Sequence, residues 1–337
     1  MKSYYCKRLY EEINFDAEDI YVCCGMSLGP SFPIYSDKEK SIKKWLNKLL
    51  KWRKKCSVNA YRGIVSDKCK NCIELEERNI TFLNFLKSFI FDYKKFPVKN
   101  IIIKSFRQCE FSCVYCLEKR YTQGKKTVQI TKSEFYDILP IIKTLINTKM
   151  IDKKGLRLEF QGGSISVWDE FKDVLKEVVN YGVGSLFYHT NAVSFIPEIG
   201  EAAKSIPSDM CVAIDSGSRE TFKKVKGEDK YDTVLENIIR YVNSGINITI
   251  KYIIVKKLND NIEEIQDFCK TVKYIAENSK YKDNIHVMLD LDFREYLNKS
   301  SYKFPDEYVQ LYKYVIDFCN KNNIDFIYRD LIKNMLE

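Results

Sequence analysis

The sequence is poor in histidine, because only His189 and His286 occur among its 337 residues. This scarcity argues against a zinc site built mainly on imidazole ligands. No apolar stretch approaches the roughly 18 residues that a membrane-spanning helix needs. The first residues also lack the basic-then-apolar run of a signal peptide. We therefore expect a cytoplasmic, globular protein without a membrane partner.

The sequence also lacks a concentrated block of positive charge, although its formal net charge is +9. Its lysines are spread along the chain and often stand next to acidic residues, which is typical of solvated surfaces. Charge alone therefore argues against a nucleic-acid partner. Internal repeats and low-complexity tracts are absent as well.

Cysteine is the abundant residue type that carries information. Nine of the twelve cysteines lie within the first 116 residues, in clusters. Without a secretion signal, such clusters indicate metal binding or catalysis rather than a disulfide framework. With so little histidine, any metal would be held mainly by sulfur, which suits an iron–sulfur cluster or zinc. The isolated Cys211, Cys269 and Cys319 have apolar neighbours and are predicted to be core residues.

The pattern divides the chain into two parts, residues 1–96 and residues 97–337. The first part is irregular and Cys-rich, with helices predicted at 37–54 and 74–95. In the second part, strands alternate with helices, which predicts an α/β fold with a parallel sheet, doubly wound or curled into a barrel. The predicted strands are Asn100–Lys104, Leu156–Phe160, Ser185–His189, Met210–Asp215, Ile246–Val255, Ile285–Leu291 and Ile324–Tyr328. The predicted helices are 131–147, 167–181, 196–205, 219–243, 261–278 and 305–322.

Three cysteines follow the first strand of the alternating region. Cys109, Cys113 and Cys116 have the spacing C-x-x-x-C-x-x-C. Chemistry in such folds lies in the loops at the carboxyl ends of the strands. Three thiolates on a four-iron cluster would leave one iron open to a substrate. The alternatives are a structural zinc site and three incidental cysteines.

This spacing, with Tyr115 before the last cysteine, resembles the signature of the radical S-adenosylmethionine (SAM) superfamily. The resemblance implies a partial (β/α)6 TIM-like barrel, here preceded by a small Cys-rich metal-binding segment. It also implies a catalytic 4Fe-4S cluster held by the three cysteines, with SAM bound at the open iron. An electron from the cluster would cleave SAM to a 5′-deoxyadenosyl radical, which takes a hydrogen atom from the substrate.

Further segments resemble the SAM-binding motifs of this superfamily. Gly162-Gly163-Ser164 is similar to a Gly-Gly-Glu motif that contacts the SAM amino group, but the hydroxyl of Ser164 supplies no charge. The residues that the resemblance places around SAM are Tyr115, Gly162, Gly163, Ser164, Thr190, Asn191, Asp215 and Lys251.

Several of these polar residues also have a plain structural interpretation. Asp215 could cap the following helix, and Lys251 could lie at a strand end that reaches solvent. Asp290 and Asp292 are candidates for substrate binding, or for a solvated loop. His189 could be functional or packed in the core.

The N-terminal part resembles a SPASM-type auxiliary cluster module, although such modules usually follow the radical SAM domain and Glu18 stands where they have glycine. The resemblance implies that Cys6, Cys23, Cys69 and Cys72 hold a second 4Fe-4S cluster, and zinc is the alternative. Cys24 could replace Cys23, and Cys56 could replace Cys6.

Together these features predict a radical SAM enzyme that acts on a peptide or a carbohydrate natural-product precursor by crosslinking, epimerisation or oxidation. Its electron donor would be a protein such as flavodoxin or ferredoxin. Two alternatives stay open: a non-catalytic, metal-stabilised binding protein with a decayed SAM site, and an RNA-modifying radical SAM enzyme.

Overall fold

The computed structural model describes most of the chain after residue 150 and shorter stretches before it. The described residues are 2–6, 11–15, 20–22, 39–67, 69, 75–79, 81, 83, 98–104, 108–116, 140, 142–143, 145, 147, 151–169, 171–292, 294 and 305–328. They belong to two units, which divide the chain differently from the predicted boundary at residue 96. The first unit comprises 1–106, 128–160 and 180–185, and the second 107–127, 161–179 and 186–337.

The first unit combines short strands with one long helix. Its strands are β1 (Lys2–Tyr5), β2 (Glu12–Phe15), β3 (Ile20–Tyr21), β4 (Glu76–Asn79), β5 (Asn100–Lys104) and β6 (Arg157–Gln161), and its helix is α1 (Glu39–Tyr61). β1 pairs with β4 in antiparallel register. The other four strands lie in the order β6-β5-β2-β3, and β2 is parallel to β5.

The second unit alternates strands with helices. These elements are α2 (Phe171–Tyr181), β7 (Ser185–Thr190), α3 (Pro197–Ala203), β8 (Ser208–Ala213), α4 (Arg219–Lys226), α5 (Tyr231–Asn243), β9 (Asn247–Ile254), α6 (Ile262–Glu277), β10 (Ile285–Leu291), α7 (Asp306–Asn322) and β11 (Asp325–Phe326). The strands lie in the order β7-β8-β9-β10-β11, and each is parallel to its neighbour. The fold is therefore α/β with a parallel sheet, as predicted, while its closure into a partial barrel stays a prediction.

The two faces of these strands differ in burial because successive side chains point to opposite faces. On β7, Leu186 and Tyr188 are fully buried, whereas Phe187 and His189 are only half-buried. The half-buried face continues on β9 at Lys251, opposite Ala213 of β8. This face therefore presents the polar side chains of His189 and Lys251.

Local sequence signals explain where the helices begin and end. The side chain of Asn261 caps α6 by accepting a hydrogen bond from the backbone of Glu264. Gly227 has φ +83° and ends α4, because glycine adopts this left-handed conformation without a steric cost. The predicted helix 219–243 is consequently wrong as one element, since it divides into α4 and α5.

The N-terminal helix predictions also differ from the structure. Residues 76–79, predicted to be helical, form β4, because pairing with β1 outweighs the helix propensity of glutamate and arginine. The helix predicted at 37–54 continues to Tyr61. Within the predicted helix 131–147, residues 140, 142–143, 145 and 147 are helical, and the others lie outside the described residues.

Two further features concern burial and hydrophobicity. Cys211, Cys269 and Cys319 are buried, which confirms them as core residues. In the part of the chain that the structure describes, no helix is long and apolar enough to cross a membrane.

Replacement of Phe268 by alanine should reveal how strongly the second unit depends on its core. Phe268 is fully buried on α6 and its ring lies 4.8 Å from that of Tyr252. We expect Phe268→Ala to lower the free energy of unfolding by about 3–5 kcal/mol, measured by urea denaturation. Tyr274→Ala on the same helix removes a half-exposed ring and should cost no more than about 0.5 kcal/mol. Equal losses would contradict this account of the core.

Candidate active site around a three-cysteine loop

Residues 108–116, here called the cysteine loop, are fastened to the carboxyl end of α4. The backbone N–H groups of Ser112 and Val114 donate to the carbonyl oxygens of Lys226 and Val225, both at 2.9 Å. The last carbonyls of a helix have no partner within the helix. The cysteine loop supplies these partners. The end of α4 therefore sets the path of the loop's backbone.

A hydrophobic contact and a glycine allow this close approach. Phe111 is buried and packs edge-on against Phe222 of α4, with ring centroids 5.6 Å apart. A Cβ atom added to Gly227 would lie 2.1 Å from the hydroxyl oxygen of Ser112. Gly227 therefore has two roles. It ends α4, and its lack of a Cβ atom leaves room for Ser112 of the cysteine loop.

A buried ion pair ties the same loop to the end of β8. The carboxylate of Asp215 is fully buried. One of its oxygens, Oδ2, contacts both the Lys226 ammonium and the Tyr115 hydroxyl. Its other oxygen accepts a hydrogen bond from the backbone N–H of Ile253 at 2.7 Å. Asp215 adopts φ +58°, and its carbonyl accepts a hydrogen bond from Asn259 at 2.8 Å. Both oxygens of the carboxylate are thus committed to contacts within the protein.

Asp215, Lys226 and Tyr115, here called the triad, shift one another's pKa values. Burial alone would lower the pKa of Lys226, but the Asp215 carboxylate outweighs that effect and raises it. Burial and the charge of Asp215 raise the pKa of Tyr115 well above its ordinary value. At neutral pH, Lys226 is therefore a protonated ammonium and Tyr115 a neutral phenol.

The three cysteines are neighbours within the loop. Desolvation raises the pKa of Cys109 to about 11, although its side chain reaches solvent, and the Cys113 thiolate contributes to the shift. The pKa of Cys113 is raised by burial and, to a lesser extent, by the charges of Asp215 and Cys116. Binding of a metal requires these thiols to release their protons.

The donor set fits an iron–sulfur cluster. Among the described residues, no three His, Cys, Asp or Glu side chains are grouped closely enough to hold a single metal ion. In a four-iron cluster each thiolate binds a different iron, so the three thiols need not meet at one point. All three ligands are sulfur, which is the donor that such clusters require.

A glycine turn follows β6 and contacts the start of the cysteine loop. Gly162 is exposed, with φ +120°, a conformation that favours glycine. The backbone N–H of Ser164 donates to the carbonyl of Gln108 at 2.8 Å. The Ser164 side chain is buried, and its hydroxyl contacts that of Ser166. Position 164 therefore holds a buried hydroxyl rather than a carboxylate that faces a ligand.

Glu110 lies between the first two cysteines and accepts hydrogen bonds from two other loops. Its donors are the Ser166 hydroxyl and the Asn191 amide, the latter at 2.8 Å. The same amide lies 3.5 Å from the Cys109 sulfur. Burial would raise the pKa of Glu110, but these hydrogen bonds outweigh it and lower the pKa. The site consequently contains an ionised carboxylate beside the first cysteine.

Three other candidate residues have partners within the protein. Thr190 is buried, and its hydroxyl accepts a hydrogen bond from the N–H of Ala192 at 3.1 Å. The ammonium of Lys251 pairs with the Asp290 carboxylate at 2.6 Å, so Lys251 is not simply a strand end in solvent. The helix after Asp215 is capped by Ser218, so Asp215 does not have that role.

The end of β10 also contacts the cysteine loop. Asp290 and Asp292 are both buried, which excludes a solvated loop. Asp292 pairs with the guanidinium of Arg294, which donates to the Val114 carbonyl at 2.7 Å. His189 is half-buried, with its ring 4.8 Å from that of Phe187.

The N-terminal cysteines are described only in part. Cys6 and Cys69 are half-buried, whereas Cys23, Cys24 and Cys72 lie outside the described residues.

Cys56 belongs to the same neighbourhood. Burial raises its pKa to about 11, and the charge of Cys69 adds to the shift. Cys56 and Cys69 are therefore neighbours, which keeps Cys56 among the candidate ligands.

Sequence reasoning missed several residues that complete the site. Glu110, Ser166, Lys226 and Arg294 were not among the candidates. One sequence signal for Glu110 existed: an acidic residue among the cysteines of a chain that has serine at position 164. The contacts of Arg294 and Lys226 with the loop bridge more than 100 residues and have no local signal.

The family model of the radical SAM superfamily matches residues 103–272. This range includes the cysteine loop and the glycine turn, and it runs from the last two residues of β5 to most of α6. Among curated proteins, GTP 3′,8-cyclase of Haemophilus influenzae (strain 86-028NP) is 25% identical over 169 residues, which is 50% of this chain and 48% of that protein. GTP 3′,8-cyclase of Vibrio vulnificus (strain YJ016) is also 25% identical over 169 residues, or 49% and 48%. The chain thus spans about half the length of the curated relatives it matches.

Solved structures give the same picture for the fold. Streptococcus suis SuiB bound to S-adenosylmethionine has a TM-score of 0.52 and 13% identity, covering 95% of this chain and 72% of that one. Native anSMEcpe with bound AdoMet has a TM-score of 0.51 and 15% identity, covering 68% and 63%. At this level of identity, the similarity concerns the fold.

Removal of the Lys226 charge should test the buried ion pair. Lys226→Met leaves the Asp215 carboxylate buried without its cation, so we expect the free energy of unfolding to fall by about 3–5 kcal/mol. The matched control is Lys224→Met, two residues from Lys226. This substitution breaks an exposed ion pair with Glu220. The control should leave the urea midpoint unchanged. Equal stability of the two variants would show that the buried pair does not hold the loop.

Proposed function

The chain belongs to the radical SAM superfamily, and on that premise we propose that it cleaves SAM reductively and uses the resulting 5′-deoxyadenosyl radical to abstract hydrogen from a peptide or carbohydrate substrate. Membership of this superfamily identifies an enzyme of the radical SAM type. It therefore favours the enzyme over a non-catalytic binding protein.

The cysteine loop is the observation that carries this proposal. Cys109, Cys113 and Cys116 would hold three irons of a 4Fe-4S cluster and leave the fourth open. When bound, the cluster supplies the electron that cleaves SAM. The chain's own residues orient the loop, through the end of α4 and the buried carboxylate of Asp215.

The residues proposed to surround SAM divide into two groups. The exposed Gly162 and its neighbour Gly163 allow backbone atoms to approach a ligand, and the Asn191 amide lies beside the first cysteine. Tyr115, Thr190 and Asp215 have polar atoms engaged within the protein, so we propose that they position the loops that hold SAM. Ser164 would act through its hydrogen bonds with the same loops.

The half-buried face of the sheet is the proposed substrate surface. It carries the paired rings of Phe187 and His189 and the Lys251–Asp290 ion pair. Aromatic and charged groups together suit a substrate with polar groups on a carbon framework, as peptides and carbohydrates have. Lys251 could alternatively bind the SAM carboxylate, as the family resemblance implies. An electron donor such as flavodoxin or ferredoxin would reduce the cluster in the cytoplasm.

We further propose a second metal site in the N-terminal part. Its ligands would be Cys6, Cys23, Cys69 and Cys72, with Cys56 as a possible substitute for Cys6. Four thiolates close a cluster, as in an electron-transfer or structural site. The proximity of Cys56 to Cys69 supports a concentration of thiols in this region.

The test of SAM cleavage is anaerobic reconstitution with iron and sulfide, followed by SAM and dithionite. Wild-type protein should release 5′-deoxyadenosine, and the Cys109/Cys113/Cys116→Ala variant should release none. As a matched control, Cys269→Ala removes a buried thiol outside the loop and should retain both iron and activity. Failure of iron-loaded wild-type protein to cleave SAM would sink the proposal.

The second metal site has a separate expected outcome. Wild-type protein should bind about eight irons, falling to about four in the triple cysteine variant. The Cys6/Cys23/Cys69/Cys72→Ala variant should also keep about four irons and an intact SAM-cleaving loop. Zinc in place of the second set of irons would make that site structural. An iron count unaffected by the quadruple variant, with no zinc lost, would contradict this ligand set.

A further inference from the structure

The side-chain amide of Asn191 has hydrogen-bond partners at both of its polar ends. Its oxygen accepts hydrogen bonds from the backbone N–H of Val193 at 3.1 Å and from the Ser164 hydroxyl at 3.2 Å. Its nitrogen donates to Glu110 at 2.8 Å and to the Cys109 sulfur at 3.5 Å. A backbone N–H can only donate, so Val193 excludes the flipped orientation of the amide. The N–H end of Asn191 therefore faces Cys109.

The backbone that carries this amide is also fixed. Ala192 has φ +56°, a left-handed conformation that residues other than glycine keep only when their surroundings support it. Asn237 of α5 supplies this support by donating to the carbonyl oxygens of Ala192 and Val193, both at 3.0 Å. The hydroxyl of Thr190 accepts a hydrogen bond from the N–H of Ala192 at 3.1 Å. Contacts within the protein therefore set the position of the Asn191 amide.

We propose that Asn191 raises the reduction potential of the cluster through its N–H···S hydrogen bond to Cys109. The inference rests on the proposed function, in which Cys109 binds one iron of the cluster. Reduction by one electron from the donor protein adds one negative charge, and the sulfur ligands carry part of it. A hydrogen-bond donor stabilises the sulfur more strongly when its charge is more negative. The amide therefore makes electron transfer from the donor protein more favourable.

A second donor to the same sulfur comes from within the cysteine loop. The backbone N–H of Phe111 donates to Cys109 at 3.4 Å. That bond joins residues two positions apart and belongs to the loop itself. The Asn191 bond joins residues 82 positions apart, and a side chain alone makes it. A substitution at position 191 can therefore remove this donor while the loop keeps its own.

The Asn191→Leu variant tests the proposal, because leucine keeps the branched shape of asparagine but has no N–H donor. The measurement is an anaerobic redox titration of the full chain, reconstituted with iron and sulfide and followed by electron paramagnetic resonance without SAM. The signal to follow is the one that the Cys109/Cys113/Cys116→Ala variant lacks. We expect the equilibrium constant for one-electron reduction to fall about three- to tenfold. This factor corresponds to a potential about 28 to 59 mV lower.

Two controls separate a lost hydrogen bond from a distorted loop. Asn247→Leu removes an exposed amide that binds Asp209 at the start of β9, away from the strand ends that contact the cysteine loop. It should leave the potential and the iron content unchanged. The second control uses protein with isotopically labelled asparagine nitrogen. Pulsed electron paramagnetic resonance should detect coupling of this nitrogen to the reduced cluster, and Asn191→Leu should abolish the coupling.

Other outcomes overturn this role of Asn191. They are an unchanged potential in Asn191→Leu, or a nitrogen coupling that persists in this variant. Loss of iron from Asn191→Leu, with Asn247→Leu intact, would show that Asn191 only assembles the site. Wild-type protein that forms no cluster in the cysteine loop would refute the proposed function and this inference together. A cluster that forms but does not cleave SAM would refute the proposed function alone, because the titration is made without SAM.

Discussion

The buried carboxylate of Asp215 is the contact on which the site depends. It joins the end of β8 to the cysteine loop through Tyr115, to the end of α4 through Lys226, and to β9 through the backbone of Ile253. A charge withdrawn from water in this way is tolerated only with a partner. Lys226 is that partner, and its own backbone carbonyl holds the loop as well.

The loop gathers contacts from several strand ends. The glycine turn after β6 reaches Gln108, Asn191 after β7 reaches Cys109, and Arg294 after β10 reaches Val114. In a parallel α/β fold these ends lie at one edge, so residues distant in sequence converge there. The residues after each of these strands therefore contribute one contact that holds the cysteine loop in place.

The sequence predicted the parts of this arrangement that rest on local patterns. The cysteine spacing, the alternation of strands and helices and the three core cysteines are all readable within short windows. The end of α4 at Gly227 had a local signal in the glycine and was still missed, because the apolar periodicity continues into α5. The strand at 76–79 had no local signal, because its partner strand, β1, lies more than 70 residues away in the sequence.

The roles of single polar residues were harder to predict for a physical reason. Asp215 and Lys251 were proposed to face SAM, and the structure gives each an oppositely charged side chain from the chain itself. Whether a carboxylate meets a ligand or a lysine depends on what the tertiary fold brings near it. Glu110 differs from both residues, because the side chains that donate hydrogen bonds to it, those of Ser166 and Asn191, are neutral.

The hydrogen bonds between Ser112, Val114 and the end of α4 are made by the polypeptide alone. They restrict the backbone of the loop independently of its side chains, so part of the loop's conformational entropy is lost to contacts with α4 rather than to metal binding.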